Sequence, residues 1–167
     1  MKNVFFIIVL ISFFGCKKEE AKSFENFTFF TGNIHTFYYL KFNQSDTVYY
    51  LEGFPYEKKI VKYSLMTKLQ KQKFNKFIEE LEYPKKDSVF SNKYVDDGTT
   101  FAFSIENNDK TKRILIHENS GPKKFWKLGE WINKLKEKST FKTTQNKVKF
   151  DNFDKIIAVP PPPIVGD

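Results

Sequence analysis

The side chains able to do chemistry in this chain are few and scattered. There are two histidines, His35 and His117, and one cysteine, Cys16. A zinc site needs such ligands at close, characteristic spacings, and the two histidines stand far apart, each in a segment that reads as a strand. A pair of carboxylates across a cleft can act as acid and base on a glycoside, and Glu52, Asp96, Asp97, Glu106 and Glu118 fall at strand ends or turns. Any soluble sheet carries acidic residues there. Asp96, Asp97 and Gly98 begin like a calcium loop, but Gly98 would occupy a ligand position, so an Asp-Gly turn leading into the next strand is the reading. Neither a GxSxG elbow, a glycine-rich phosphate loop nor HExxH occurs. The sequence therefore predicts no catalytic residue, no metal and no cofactor, with a hydrolase built on strand-end carboxylates as the alternative.

The cysteine has a more specific setting. Residues 1–16 read MKNVFFIIVLISFFGC, with Lys2 ahead of an apolar run from Val4 to Leu10 that continues through Phe14. A spanning helix needs about 20 apolar residues. This run meets Gly15, Cys16 and the charged Lys17, Lys18, Glu19 and Glu20 well before that, so its layout is that of a cleaved export signal. The junction Phe13, Phe14, Gly15, Cys16 resembles the lipobox of bacterial lipoproteins. That resemblance implies cleavage between Gly15 and Cys16 and lipid on the Cys16 thiol and new amino group, because a small residue must pass the peptidase and a thiol must accept the diacylglycerol. Phe13 stands where the family usually has Leu, and Phe14 where a smaller residue is commoner. Lys18, Glu19 and Glu20 are similar to the lysine-then-acidic surface-export signal of lipoproteins from the Bacteroidetes group, and Lys17 lacks the aspartate of inner-membrane retention. The implied address is the outer membrane, with the membrane itself as partner through the lipid on Cys16. Several acyl chains on one residue anchor stably.

Composition narrows the classes that remain. The chain has 167 residues, 40% of them hydrophobic, with 28 Lys plus Arg against 20 Asp plus Glu and a formal charge of +8. One domain with short appendages fits that length, and a single cysteine excludes an internal disulfide framework. Only Arg113 is an arginine. Guanidinium forks are what read guanine edges and phosphates in pairs of bonds, so nucleic acid is not an expected partner, whereas a diffuse attraction to anionic surfaces is.

Hydrophobic periodicity supplies the elements. Phe24–Thr31, His35–Phe42 and Asp46–Glu52 are rich in aromatic and β-branched residues and read as strands. Polar Asn43 to Asp46 joins the second to the third. Phe37 and Tyr39 share one face of the second strand and Tyr38, Leu40 and Phe42 the other, so the sheet needs cover on both sides. A helix over Lys68–Glu82 follows from Phe74, Phe77, Ile78 and Leu81 at helical spacing, with Leu69 one turn earlier. Thr67 and Gln70 form a capping box, and Pro84 ends the helix. The block Val89–Glu118 reads as a strand and a hairpin, in which Thr99–Glu106 and Lys112–Glu118 are joined through Asn107 to Lys110. Pro122–Lys138 is a second helix with the stripe Phe125, Leu128, Ile132 and Leu135, capped by Ser120 or Gly121. Val148 and Phe150 predict an edge strand or an extended wrap, and Pro160 to Pro163 a stiff tail.

The expected organisation is a signal peptide over 1–15, a lipidated tether over 16–23, a globular domain over 24–150 and an extended proline-rich tail over 151–167. The expected fold is α+β, an antiparallel sheet of five or six strands packed with two amphipathic helices. The function expected is a non-enzymatic binding or scaffold module of the cell envelope. Its candidate surface combines Tyr38, Tyr39, Tyr49 and Tyr50, since tyrosine joins apolar area to a polar tip, with the lysines of the second helix, Lys123, Lys124 and Lys127. A protein, peptide or glycan is the partner class for the tyrosines, and anionic lipid or polysaccharide for the lysines.

Overall fold

The computed structural model describes residues 24–33, 37–53, 60–91, 98–108, 110–118, 120–153 and 156. Its centre is β1 (Asn26–Gly32), five of whose seven residues are buried. A strand so apolar on both faces fits only mid-sheet with both faces covered. It pairs antiparallel with β2 (Phe37–Asn43) on one side and β6 (Thr100–Asn107) on the other. β3 (Thr47–Glu52) and β4 (Val61–Leu65) extend the sheet beyond β2, and the two-residue β8 (Lys142–Thr143) closes that edge. At the other edge β7 (Lys110–His117) pairs with β6, and β5 (Ser88–Phe90) lies outside it.

The result is one sheet of eight strands in the order β5-β7-β6-β1-β2-β3-β4-β8. This corrects the expected five or six strands and the expected purely antiparallel sheet. β5 runs parallel to β7, because β7 reverses direction after β6 and β5 comes in on its outer side. β4 and β8 were not foreseen. The β6–β7 hairpin was, and its register, Asn107 opposite Lys110, leaves a two-residue loop that begins with Asn108 at φ 49°, as tight hairpins require.

Both helices cover the same face. α1 (Lys68–Glu80) starts at the predicted capping box: the Gln70 N–H donates to the Thr67 hydroxyl, and the Thr67 N–H donates to the Gln70 side chain at 2.7 Å. Phe74 and Ile78 are buried, and Leu81, just past the helix, is too. Leu69 departs from the stripe and is 75% exposed. α2 (Lys123–Lys138) buries Phe125, Leu128, Ile132 and Leu135 as its spacing predicts. Neither expected cap operates. Pro122 is the N-cap and offers no side-chain bond, and Ser120 instead donates its hydroxyl to the Phe90 carbonyl at 2.9 Å, while Gly121 takes the turn's positive φ of 78°. Gly129 lets α2 settle close to β6, since a Cβ there would lie 2.4 Å from the Phe101 ring. Beneath the helices, phenylalanines 27, 29, 42, 74, 101, 103 and 125 interlock as edge-on, tilted or stacked pairs, geometries worth about 0.5–1.5 kcal/mol per pair beyond burial.

The opposite face is covered by the C-terminal segment. After β8 the chain crosses the sheet as an extended strap. Lys41 donates from Nζ to the Lys149 carbonyl at 2.8 Å, Phe150 meets Tyr39 edge-on, and Phe153, fully buried, packs on Phe30 and Tyr39. Arg113 grips Asp151 through two bonds of 2.7 Å. Ordered packing thus runs past residue 150, to Phe153 and Ile156.

Candidate functional site

The expected surface residues do not converge. Alternation along β2 and β3 sends Tyr38 and Tyr50 to the helix side and Tyr39 and Tyr49 to the strap side. Tyr38 and Tyr50 belong to a packed joint at the end of α2. Tyr38 donates its hydroxyl to Asn133 at 2.6 Å, Lys136 lies over both rings at 5.0 and 5.6 Å, and Phe141 packs on Tyr50. Burial, reinforced by Tyr50 and Glu137, holds the Tyr38 phenol well above its ordinary pKa. Lys123, Lys124 and Lys127 occupy the opposite end of α2, at least about 13 Å along the axis from Lys136. Lys124 there reaches the Glu80 carbonyl at 3.1 Å. Tyr39 is enclosed by Phe30, Phe37, Phe150 and Phe153.

Tyr49 is different. It is half-buried and pairs in register with Tyr63 of β4 on the strap side. Two residues further along the same face lies the pair Leu51 and Val61, and here the strap stands off the sheet. Between them opens a groove of about 650 Å³, walled by Leu51, Ile60 and Val61 on one side and residues 143–149 on the other. That volume lies within the range of ordinary ligand sites, roughly 300–1,000 Å³. Thr143, Gln145, Asn146, Lys147 and Lys149 are exposed along the strap wall, so one wall is aliphatic and the other polar and cationic. Lys41, beside Tyr49 in register, fixes the strap at this point. Burial lowers its ammonium pKa, with Lys149 acting in the same direction and Glu106 and Asp151 against it.

The groove residues were missed because they come from three separated segments, and only the alternation around Val148 hinted at them. A second concavity, about 600 Å³, lies between Leu81–Tyr83 and the β6–β7 hairpin with Lys110 and Lys112. The Tyr83 hydroxyl beside it is buried with no hydrogen-bond partner among the described residues, and burial raises its pKa well above the usual value.

The expected carboxylates that are described, Glu52, Glu106 and Glu118, stay apart. Glu106, opposite Thr111, and Glu118 flank opposite ends of the β6–β7 hairpin, about 24 Å apart at 3.4 Å per residue. Glu52 lies four strands from Glu118, a similar distance at about 4.8 Å per strand, whereas glycosidase pairs stand about 5–9.5 Å apart. Glu118 accepts the Thr99 N–H at 2.6 Å, and Glu106 accepts from Asn26. His117 shares a hydrogen bond with Thr100 inside the sheet. Among the described residues no three of His, Cys, Asp and Glu gather as metal ligands, and no helix is long and apolar enough to cross a membrane. Gly15, Cys16, His35, Asp96 and Asp97 lie outside the described residues.

The chain matches no protein-family model and no curated protein.

Proposed function

We propose that this protein is an outer-membrane lipoprotein held by lipid on Cys16, and that its domain is a non-enzymatic binding module. In this reading the groove beside β4 receives an extended, anionic polysaccharide segment of the cell envelope. The observation that carries the proposal is the pairing of the two walls: Leu51 and Val61 form an apolar floor continuous with the half-buried rings of Tyr49 and Tyr63, while Lys147 and Lys149 stand exposed along the rim. An aliphatic floor suits sugar C–H surfaces, the amides of Gln145 and Asn146 suit hydroxyls, and ammonium groups suit carboxylates. The leader, Gly15 and Cys16 support the address, and the overall charge of +8 supports the sign of the ligand.

The test is retention on an immobilised anionic polysaccharide such as polygalacturonate. Lys147→Glu with Lys149→Glu reverses two exposed charges at the groove and should weaken binding at least about tenfold, given about 1 kcal/mol per lysine near an anionic surface. Lys123→Glu with Lys127→Glu changes the same total charge at the start of α2. If that second pair abolishes retention and the first does not, the ligand lies on α2 and the groove assignment fails.

A further inference from the structure

The two most exposed large apolar side chains among the described residues are Leu65, at 66%, and Leu69, at 75%. They flank the short Met66–Thr67 link between β4 and α1, and nothing among the described residues covers them. Isolated exposed leucines are ordinary. Leu65 faces the strap side of the sheet and Leu69 the outside of α1, both at the corner where β4 meets α1.

That corner lies on the end of the domain where the chain arrives from Cys16. Phe24 packs on Phe74 of α1, Gln44 donates to the Phe24 carbonyl at 3.2 Å, and Asp46, two residues on, accepts from the Met66 N–H at 2.8 Å and from Lys71. Phe24, the β2–β3 turn and the β4–α1 link are thus one contiguous edge. The tip of the β6–β7 hairpin adjoins it, since the Asn108 N–H reaches the Glu25 carboxylate. Lys68, Lys71, Lys110 and Lys112 stand on this end. Asp46 neutralises Lys71, and Glu106 is engaged by Asn26.

Seven residues separate Cys16 from Phe24, a span of no more than about 28 Å even fully extended. A lipid on Cys16 therefore brings this end to the headgroups with the least extension of the tether. We infer that the domain docks on the leaflet by this end, with Leu65 and Leu69 seated at the boundary of headgroups and acyl chains and the lysines facing anionic lipid. Apolar side chains beside cations are what an interfacial contact requires, and a second contact strengthens an acyl anchor. The docking orients the groove as well. Ile60, on its wall, precedes the start of β4, about 17 Å along the strand from Leu65, so that wall of the groove is set back from this end.

This inference rests on the lipoprotein reading, and one experiment separates the two. The native lipidated protein carries no free thiol in that reading, so Leu69→Cys and, separately, Leu65→Cys introduce one site for an environment-sensitive fluorophore. Val89→Cys, also exposed, on β5 at the far edge of the sheet, is the control. In vesicles of phosphatidylethanolamine and phosphatidylglycerol, the labels at 65 and 69 should shift to the blue and lose fluorescence several-fold to spin-labelled lipid, while the label at 89 does neither. Equal, water-like emission from all three overturns the docking. A blue shift at 65 and 69 that grows with protein concentration in detergent, without vesicles, places a second copy of the chain on the leucines and overturns it too. Labelling of two thiols per chain shows Cys16 free and overturns the lipoprotein reading itself.

Discussion

Arg113 is the place where a single bond geometry decides whether the second face of the sheet stays covered. Its guanidinium holds Asp151 through Nε and Nη2, both at 2.7 Å, with the two side chains only 16% and 20% exposed. A weaker contact to Asp87 at 3.5 Å adds to it. The hydrogen bond to Asp151 is the largest influence raising the Arg113 pKa, against a partial desolvation penalty. An exposed pair contributes about 0–1 kcal/mol, and breaking a fully buried one costs about 3–5 kcal/mol. This half-buried, two-pronged pair falls between, at about 2 kcal/mol. Arg113→Lys keeps the charge but loses the fork, and Asp151→Asn keeps the shape but loses the charge. A double-mutant cycle from urea unfolding should therefore give a coupling energy of about 1–2 kcal/mol, with each single variant melting roughly 4–8 °C lower. Hydrogen exchange should quicken at the amides of residues 148–153 before it does in β1. A coupling below about 0.5 kcal/mol, the usual additivity error, would show that the strap is held by its rings alone and refute the reasoning.

The rings carry their own share. Phe153→Ala empties a fully buried site beside Phe30 and Tyr39 and should cost about 3–5 kcal/mol in a urea titration; a loss under 1 kcal/mol would mean the strap is not docked. Thr67→Ala removes half of the capping box and should cost about 1 kcal/mol, with faster exchange at the Gln70 amide as the local sign. Tyr38 is held protonated beyond its ordinary range by burial, Tyr50 and Glu137, and Tyr83 by burial. The unfolded chain releases these protons first, so their contribution is complete below about pH 10 and is lost as pH rises above it. The urea midpoint should fall across that window, less steeply in Tyr38→Phe; an identical slope in the variant contradicts the assignment.

What the sequence made legible was local. The Thr67–Gln70 box, the stripes of both helices and the division of Phe37 and Tyr39 from Tyr38, Leu40 and Phe42 depend on spacings of two to four residues, and the structure shows all three. Leu69 fits the helical stripe by number but falls in the first turn, beyond the edge of the sheet-facing contact, and is exposed. β4 reads VKYSL, a short alternation broken by Lys62 and Ser64 on the helix side, where the Lys62 ammonium lies over Tyr50. Nothing local marks that stem as packed. β5 and β8 have only three and two residues and exist through ladders to distant strands. The groove needs Leu51, Ile60 and the strap side by side, and the Arg113–Asp151 clamp joins residues 38 positions apart. Such pairings come from topology, which no window of the sequence contains. The tyrosine and lysine surface failed to assemble for the same reason: Tyr38 and Tyr39 are neighbours in the chain and lie on opposite faces of a sheet.

The proposed anchoring at the outer membrane turns on Cys16. Intact-mass and N-terminal peptide analysis of the protein purified from its native envelope, after growth with labelled palmitate, measures it directly. The account predicts a chain beginning at Cys16, heavier by a diacylglyceryl group and an amide-linked acyl chain, with label in that peptide alone. A chain that retains Met1 to Gly15, or one that begins at residue 16 with an unmodified thiol, would contradict it.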